Sequence, residues 1–259
     1  MSINTSPRKE NTEERRAEMN MIFKILRFDP MTEAQPHFEV FYHQPKPKDS
    51  VLEALKDIRD QQDPSLSFRY SCREAVCGSC GMVINGQIVL ACKTQVESLQ
   101  TDTIVIEPLP NLEIQKDLFV DMGPFWEAYR RVQPYLQPEG DVPAKGHLVE
   151  EKDMEEVFKN ITCILCACCY SACPVVSRDG RYVGPAALAK LYRFVKDPRD
   201  KRPYSSLARM NDSTGVWGCD TVFRCNEVCP KAVRPADGIE ALRLKLVAEK
   251  TKRLLRRKR

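Results

Sequence analysis

Residues 163–176 read CILCACCYSACPVV, and residues 215–233 read GVWGCDTVFRCNEVCPKAV. The first holds Cys163-x2-Cys166-x2-Cys169-x3-Cys173-Pro174, a run in which three thiolates curl around one cubane and the fourth reaches a second one. The second repeats it as Cys219-x2-Val222-x2-Cys225-x3-Cys229-Pro230, with valine where a cysteine belongs. Crossing the fourth ligands makes two sites. Cys163, Cys166, Cys169 and Cys229 supply four thiolates, enough for a 4Fe-4S cluster. Cys173, Cys219 and Cys225 supply three. Val222 cannot ligate iron, so the second site is expected to hold a 3Fe-4S cluster; a four-iron cluster with a non-cysteine ligand at the open corner is the alternative. Cys168 is left over. It is expected as a buried structural thiol turned away from the cubane, with an alternative ligand as the other option.

A further block lies upstream. Cys72-x4-Cys77-x2-Cys80, followed by Cys92, has the spacing of a plant-type 2Fe-2S site. Three thiolates come from one tight loop and the fourth from a neighbouring strand. Gly78 and Gly81 let the loop backbone approach the cluster, and Arg73 can offset thiolate charge. Zinc is the competing reading, but zinc sites favour two separated C-x2-C knuckles, and this block has one.

The rest of the chain bounds the class. It has 259 residues, 42% hydrophobic, twelve cysteines, three histidines and a net charge of +4. That length suggests about two domains. The charge is too mild to argue for nucleic acid. No apolar run reaches the roughly 18 residues of a membrane span. Residues 1–20 lack an apolar core and a cleavage pattern, so they are expected to form a flexible polar extension in a reducing compartment. Residues 21–136 read as a mixed α/β unit. Strands are predicted at Met21–Phe28, Phe38–Tyr42 and Thr103–Glu107, a helix capped at Asp49–Ser50, and a hairpin at Asn85–Gly86. Residues 137–150, including QPEGDVPAK, read as a linker. Residues 151–248 read as helical, with helices starting at Gly184–Pro185 and near Pro235, and 249–259 as a basic tail. The fold expected is α+β: an N-terminal β-grasp unit of plant-type ferredoxin kind, then an all-α unit like the bacterial ferredoxins. His37, His43 and His147 are scattered and expected on the solvated surface.

The stretches SFRYSCREAVCGSCGMVINGQIVLAC, CILCACCYSACPVV, GPAALAKLYRFVKDPRD and GVWGCDTVFRCNEVCPKAV closely resemble the iron–sulfur subunit of the succinate:quinone oxidoreductases, the succinate dehydrogenases and fumarate reductases. The resemblance covers about residues 20–248. It implies a FAD-bearing catalytic subunit on one side and transmembrane anchor subunits, with or without haem b, on the other. It also implies a peripheral place on the cytoplasmic face of a bacterial inner membrane and no dicarboxylate site on this chain. In the family, the proline after the first three-iron cysteine lines the quinone pocket, which is Pro174 here. Many ubiquinone-using members carry a tryptophan four residues after it and a histidine after the next cluster cysteine; here these are Arg178 and Asp220. A basic residue on the last helix can approach quinone in the fumarate reductase branch, and Arg243 matches it. Trp217 is a fourth candidate contact. Asp220 and Arg243 as surface charges, and Trp217 as core packing, are the plain alternatives. Succinate oxidation and quinol-linked fumarate reduction both fit the resemblance, as does service to another flavin dehydrogenase.

Overall fold

The computed structural model describes residues 20–141, 143–202 and 204–257. Residues 1–19 of the expected N-terminal extension lie outside them. The first half is a five-stranded mixed sheet: β1 (Met21–Arg27), β2 (His37–His43), β3 (Gly81–Ile84), β4 (Gln87–Leu90) and β5 (Thr103–Glu107), in the order β2-β1-β5-β3-β4. β1 and β5 run parallel; the other pairs are antiparallel. Helix α1 (Val51–Gln61) starts where the Ser50 hydroxyl accepts the Glu53 N–H at 3.2 Å. Its residues Val51, Leu52, Leu55 and Ile58 are buried in one core with Phe23, Ile25, Ile104 and Ile106 of the sheet. The β3–β4 hairpin turns at Asn85 and Gly86, both at positive φ (47° and 76°), as a two-residue primed turn requires.

The second half is helical. A small ladder of β6 (Ile114–Lys116) and β7 (Phe119–Val120) leads into α2 (Gly123–Arg131), α3 (Glu151–Ile161), α4 (Cys168–Ser171), α5 (Pro174–Arg178), α6 (Gly184–Lys196), α7 (Tyr204–Ala208), α8 (Arg224–Glu227) and α9 (Pro235–Arg257). α6 is the axis. Ala186, Ala187, Leu188, Ala189 and Leu191 are buried; the three alanines allow close approach and the leucines fill the space as α2, α3, α4 and α9 pack around it. Among the described residues no helix is long and apolar enough to cross a membrane.

Three features depart from the sequence reading. The chain changes cores well before residue 137: Leu109, Leu112, Met122, Phe125 and Val132 belong to the helical core. Phe125 stands edge-on to Tyr170 at 5.7 Å, which draws α2 across. The basic segment is not a separate tail, because α9 continues unbroken to Arg257. His43 is buried rather than solvated. It shares the inward side of β2 with Phe41, meets Phe23 edge-on, and holds Nε2 3.5 Å from an Asp49 carboxylate oxygen.

Arg27, at the end of β1, is 8% exposed and ties the sheet to the loops that follow it. Its Nε donates to buried Asp117 at 3.0 Å, Nη1 to Glu39 at 2.6 Å and to Asp63, and Nη2 to the Ser65 hydroxyl at 2.9 Å. Removing one partner of a buried ion pair strands the other. Arg27→Ala is therefore expected to lower unfolding stability by about 3–5 kcal/mol, measurable by denaturant titration; a change within experimental error would refute this role.

Candidate metal centres

The first cysteine loop runs between α1 and β3. Its backbone reverses through positive φ at Arg73 (60°), Ala75 (54°) and Gly78 (73°), turning N–H groups inward. Those groups reach sulfur. Cys77 and Val76 donate to Cys72 Sγ at 3.2 and 3.3 Å, Cys72 and Ser79 to Cys77 Sγ at 3.4 and 3.5 Å, and Ala75 to Cys92 Sγ at 3.3 Å. Burial pushes against ionisation of Cys77, but hydrogen bonds from Ser79 and Cys72 outweigh it and bring the thiol down to about 6. Cys80 is pushed up to about 12 by burial, with Cys92 as its sulfur neighbour. The four sulfurs thus sit as two pairs, Cys72 with Cys77 and Cys80 with Cys92.

The second block folds as two copies of one motif. Leu165 and Ala167 stand at positive φ (54° and 65°), then α4; Thr221 and Phe223 do the same (56° and 60°), then α8. In this superposable pattern Val222 takes the place of Cys166. Their surroundings differ: Cys166 is 9% exposed and Val222 is 49% exposed. Cys163, Cys166, Cys169 and Cys229 line one cavity against Ala186 and Ala189 of α6. Burial raises the Cys163 thiol; Lys190 of α6, whose Nζ donates to the Cys163 carbonyl at 3.4 Å, opposes this. The other group is Cys173, Cys219 and Cys225. Burial raises Cys173, with Cys219 and Asp220 adding to it, and lifts Cys225 to about 12, with Cys219 and Cys173 adding.

The donor set fits clusters better than single ions. A tetrahedral zinc with bonds of about 2.3 Å would hold its sulfurs roughly 3.8 Å apart. Among the described residues the only His, Cys, Asp or Glu trio with ligand atoms within 4.8 Å of one another is His43, Asp49 and Asp57, which includes no cysteine and is already braced by Lys46. A second sign is Tyr182. It is 1% exposed, and the side chains nearest its hydroxyl are the thiols of Cys219, Cys173 and Cys225. A thiol is a weak acceptor for a buried hydroxyl; a sulfur-rich cluster held by those cysteines would be a better one.

Several residues escape sequence reasoning. Asn111 clamps the second run, its side-chain amide donating to the carbonyls of Ser171 at 2.9 Å and Cys173 at 3.1 Å. Cys168 is fully buried, as expected: it does not line the cavity of Cys163, Cys166, Cys169 and Cys229, and its sulfur would lie 3.4 Å from a Cβ at Gly81, on the sheet side. Its neighbour Cys166 and burial keep it protonated, and it in turn lowers Cys166 to about 7. Gly78 lies directly on the second block. A Cβ there would sit 2.8 Å from Cys166 Cβ and 2.9 Å from the Ile164 carbonyl oxygen.

The four residues tied to quinone by resemblance are gathered around the Cys219 segment. Pro174 is exposed at the start of α5. Asp220 pairs with Arg178 at 2.9 Å. Trp217 is half-exposed, with its ring N–H on Asn211 at 2.7 Å. The Arg243 guanidinium lies over the Trp217 ring and donates to the Val216 carbonyl at 2.9 Å, the Thr221 hydroxyl at 3.1 Å and the Cys219 carbonyl. Its bonds brace the segment that carries Cys219.

Known proteins share this layout. A family model for 2Fe-2S iron–sulfur cluster binding domains matches residues 22–127, and one for 4Fe-4S dicluster domains matches residues 160–233. The succinate dehydrogenase iron–sulfur subunit of Coxiella burnetii is 38% identical over 232 residues, covering 88% of this chain and 98% of that protein. The fumarate reductase iron–sulfur subunit of Escherichia coli is 38% identical over 227 residues, covering 86% and 92%. A chain in the solved Mycobacterium smegmatis Sdh1 complex in the apo form shares the fold at a TM-score of 0.81, with 22% identity and coverage of 90% and 97%. A 2Fe-2S domain joined to a dicluster domain defines an iron–sulfur electron-transfer protein. The chain belongs to the iron–sulfur subunits of the succinate dehydrogenases and fumarate reductases.

Tyr182→Phe removes the buried hydroxyl and little else. A net hydrogen bond of about 1 kcal/mol, for a one-electron couple at 59 mV per tenfold, corresponds to roughly 40 mV. The variant should lower the potential of the cluster beside it by that order in a redox titration followed by spin resonance, with iron content unchanged. An unshifted potential would show that the hydroxyl does not reach the cluster.

Proposed function

We propose that this chain relays electrons between the FAD of a catalytic flavoprotein subunit and a membrane quinone. Cys72, Cys77, Cys80 and Cys92 hold a 2Fe-2S cluster; Cys163, Cys166, Cys169 and Cys229 a 4Fe-4S cluster; Cys173, Cys219 and Cys225 a 3Fe-4S cluster. When bound, these groups supply one-electron steps at closely spaced centres. The observation that carries the reading is continuity: the first loop touches the second group at Gly78 and Cys166, and Cys225 of the third group neighbours Cys169 of the second.

The protein's own part is to hold, shield and tune. Inward N–H groups neutralise thiolate charge in the first loop. Buried Cys166, Cys169, Cys173 and Cys225 keep water from the inner groups. The finer fold assignment, a β-grasp unit of plant-type ferredoxin kind joined to an all-α unit of bacterial ferredoxin kind, is supported by the sheet order and the doubled cysteine motif.

The quinone end is the exposed face bearing Pro174, Trp217, Asp220, Val222 and Phe223, with Arg243 acting chiefly by bracing Cys219. That face docks on transmembrane anchor subunits, haem b-bearing or not, at the cytoplasmic side of a bacterial inner membrane. Exposed apolar Val222, Phe223 and Trp217 support this, because quinone arrives from lipid. The same contacts serve succinate oxidation or fumarate reduction.

Anaerobically purified protein should contain iron for two-, four- and three-iron clusters, about nine atoms per chain. Val222→Cys should add a thiolate where the motif lacks one and convert the oxidised three-iron spin-resonance signal into that of a reducible four-iron centre. Stoichiometric zinc in place of iron and sulfide would refute the function. An unchanged three-iron signal in the folded variant would refute the ligand crossing.

A further inference from the structure

α9 has two apolar faces. One, with Ile239, Leu242 and Leu246, is buried against the body. The other points to solvent. At 100° per residue, Leu244, Val247, Ala248, Thr251, Leu254 and Leu255 fall within an arc of roughly 120° that carries no charge from Leu244 onward; exposed Asp237 and Glu240 occupy the same arc in the two turns before it. The four large side chains in it are between 53% and 73% exposed. Lys245, Lys252 and Arg256 border the arc on one side and Lys250 on the other; among residues 244–256 the one acid is Glu249, which Lys252 neutralises at 3.0 Å. Arg253 lies on the inner side, over the Tyr204 ring at 3.9 Å, and pins the helix end to the body.

We propose that this outer face lies along the headgroup layer of an anionic membrane, its leucines below the headgroups and its flanking lysines and Arg256 at phosphate level. An apolar stripe bordered by cations is the pattern of an interfacial helix, not a spanning one. A groove in a protein partner would complement such a stripe with acids in fixed places; a sheet of lipid phosphates complements basic residues on both borders at once. The stripe is also continuous with the three-iron face: Arg243, one turn before Val247, is the residue that stacks on exposed Trp217. One membrane plane can meet both. The proposal rests on the electron-relay reading for that shared orientation. Its consequence is that the chain contacts lipid itself as well as docking on anchor subunits, which fixes the quinone face toward the bilayer.

The test uses the full, cluster-loaded chain floated with vesicles of phosphatidylcholine, with or without about one-third phosphatidylglycerol. The chain should rise with the anionic vesicles at low salt and stay down with the zwitterionic ones. Raising salt to about 0.5 M should weaken the binding. Leu254→Glu with Leu255→Glu, both exposed and so harmless to folding, should weaken it by roughly tenfold or more. Lys250→Ala with Lys252→Ala and Arg256→Ala should remove most of the salt dependence. Failure of the unaltered chain to float with anionic vesicles would overturn the proposal, as would equal flotation of the glutamate variant. Absent flotation combined with loss of the glutamate variant from native membranes would also overturn it, assigning the face to a protein partner. Iron content and spin-resonance spectra of the same samples test the electron relay separately, so the two readings can fail independently.

Discussion

The contact of Gly78 with Cys166 is the constraint around which the two halves are arranged. A side chain at 78 would place carbon 2.8 Å from Cys166 Cβ, closer than atoms pack, and φ of +73° already favours glycine. Gly81 repeats the device a short way on: a Cβ there would lie 3.2 Å from the Cys166 carbonyl oxygen and 3.4 Å from Cys168 Sγ. The two cysteine loops are thereby brought into backbone contact. The cores follow suit, since Cys166 and Cys168 pack with the sheet's core while Ala167 and Cys169 pack with the helical one. A chain built this way cannot hinge between its halves without opening the second cysteine group.

The doubled motif explains why the third group differs from the second. Both copies use the same left-handed turns before a one-turn helix, so the backbone at Val222 is shaped as it is at Cys166. The first copy faces the sheet and is sealed by it. The second has no sheet over it, and its replaced position is half-exposed among Phe223 and Trp217. Loss of a thiolate and gain of an apolar surface thus occur at one residue. Arg243 then holds the segment from behind, through the Val216 and Cys219 carbonyls, without covering that surface.

Much of this was legible in the residues. Cysteine spacing, the Asn85–Gly86 turn, the Ser50 cap and the start of α6 at Gly184–Pro185 are local rules, and local chemistry decided them. What escaped depends on contacts between distant segments. Asn111 reads as an ordinary turn residue until Ser171 and Cys173 arrive beside it. Nothing local marks Tyr182 as buried beside cysteines, and His43 reads as a solvated residue until Phe23 and Asp49 close around it. The switch of cores that begins at Leu109 is invisible because residues from Leu109 to Val132 carry the same apolar pattern whichever neighbour they bury against; Leu118 among them returns to the sheet's core. The basic C-terminus reads as a tail by charge alone, yet α9 runs through it to Arg257, and exposed Leu254 and Leu255 give it a second face.

The electrostatics of the inner groups point to a fold completed by its metals. Burial raises Cys163, Cys169, Cys173 and Cys225, so these thiols hold their protons when nothing compensates the charge of a thiolate. Lys190 gives limited help, because burial pulls it below the ordinary lysine range. At those four cysteines iron must displace protons that the surroundings hold in place, and the cations of the cluster supply the compensation that the side chains do not; Cys166, lowered to about 7, is the exception. The first loop is different: inward N–H groups already lower Cys77 to about 6, and its cysteines other than Cys80 are less deeply buried. Acid should consequently compete more strongly with iron at the inner groups than at the first loop. The order of burial along the chain is then also an order of dependence, with the outer site prepared by its backbone and the inner sites prepared by the metal they enclose.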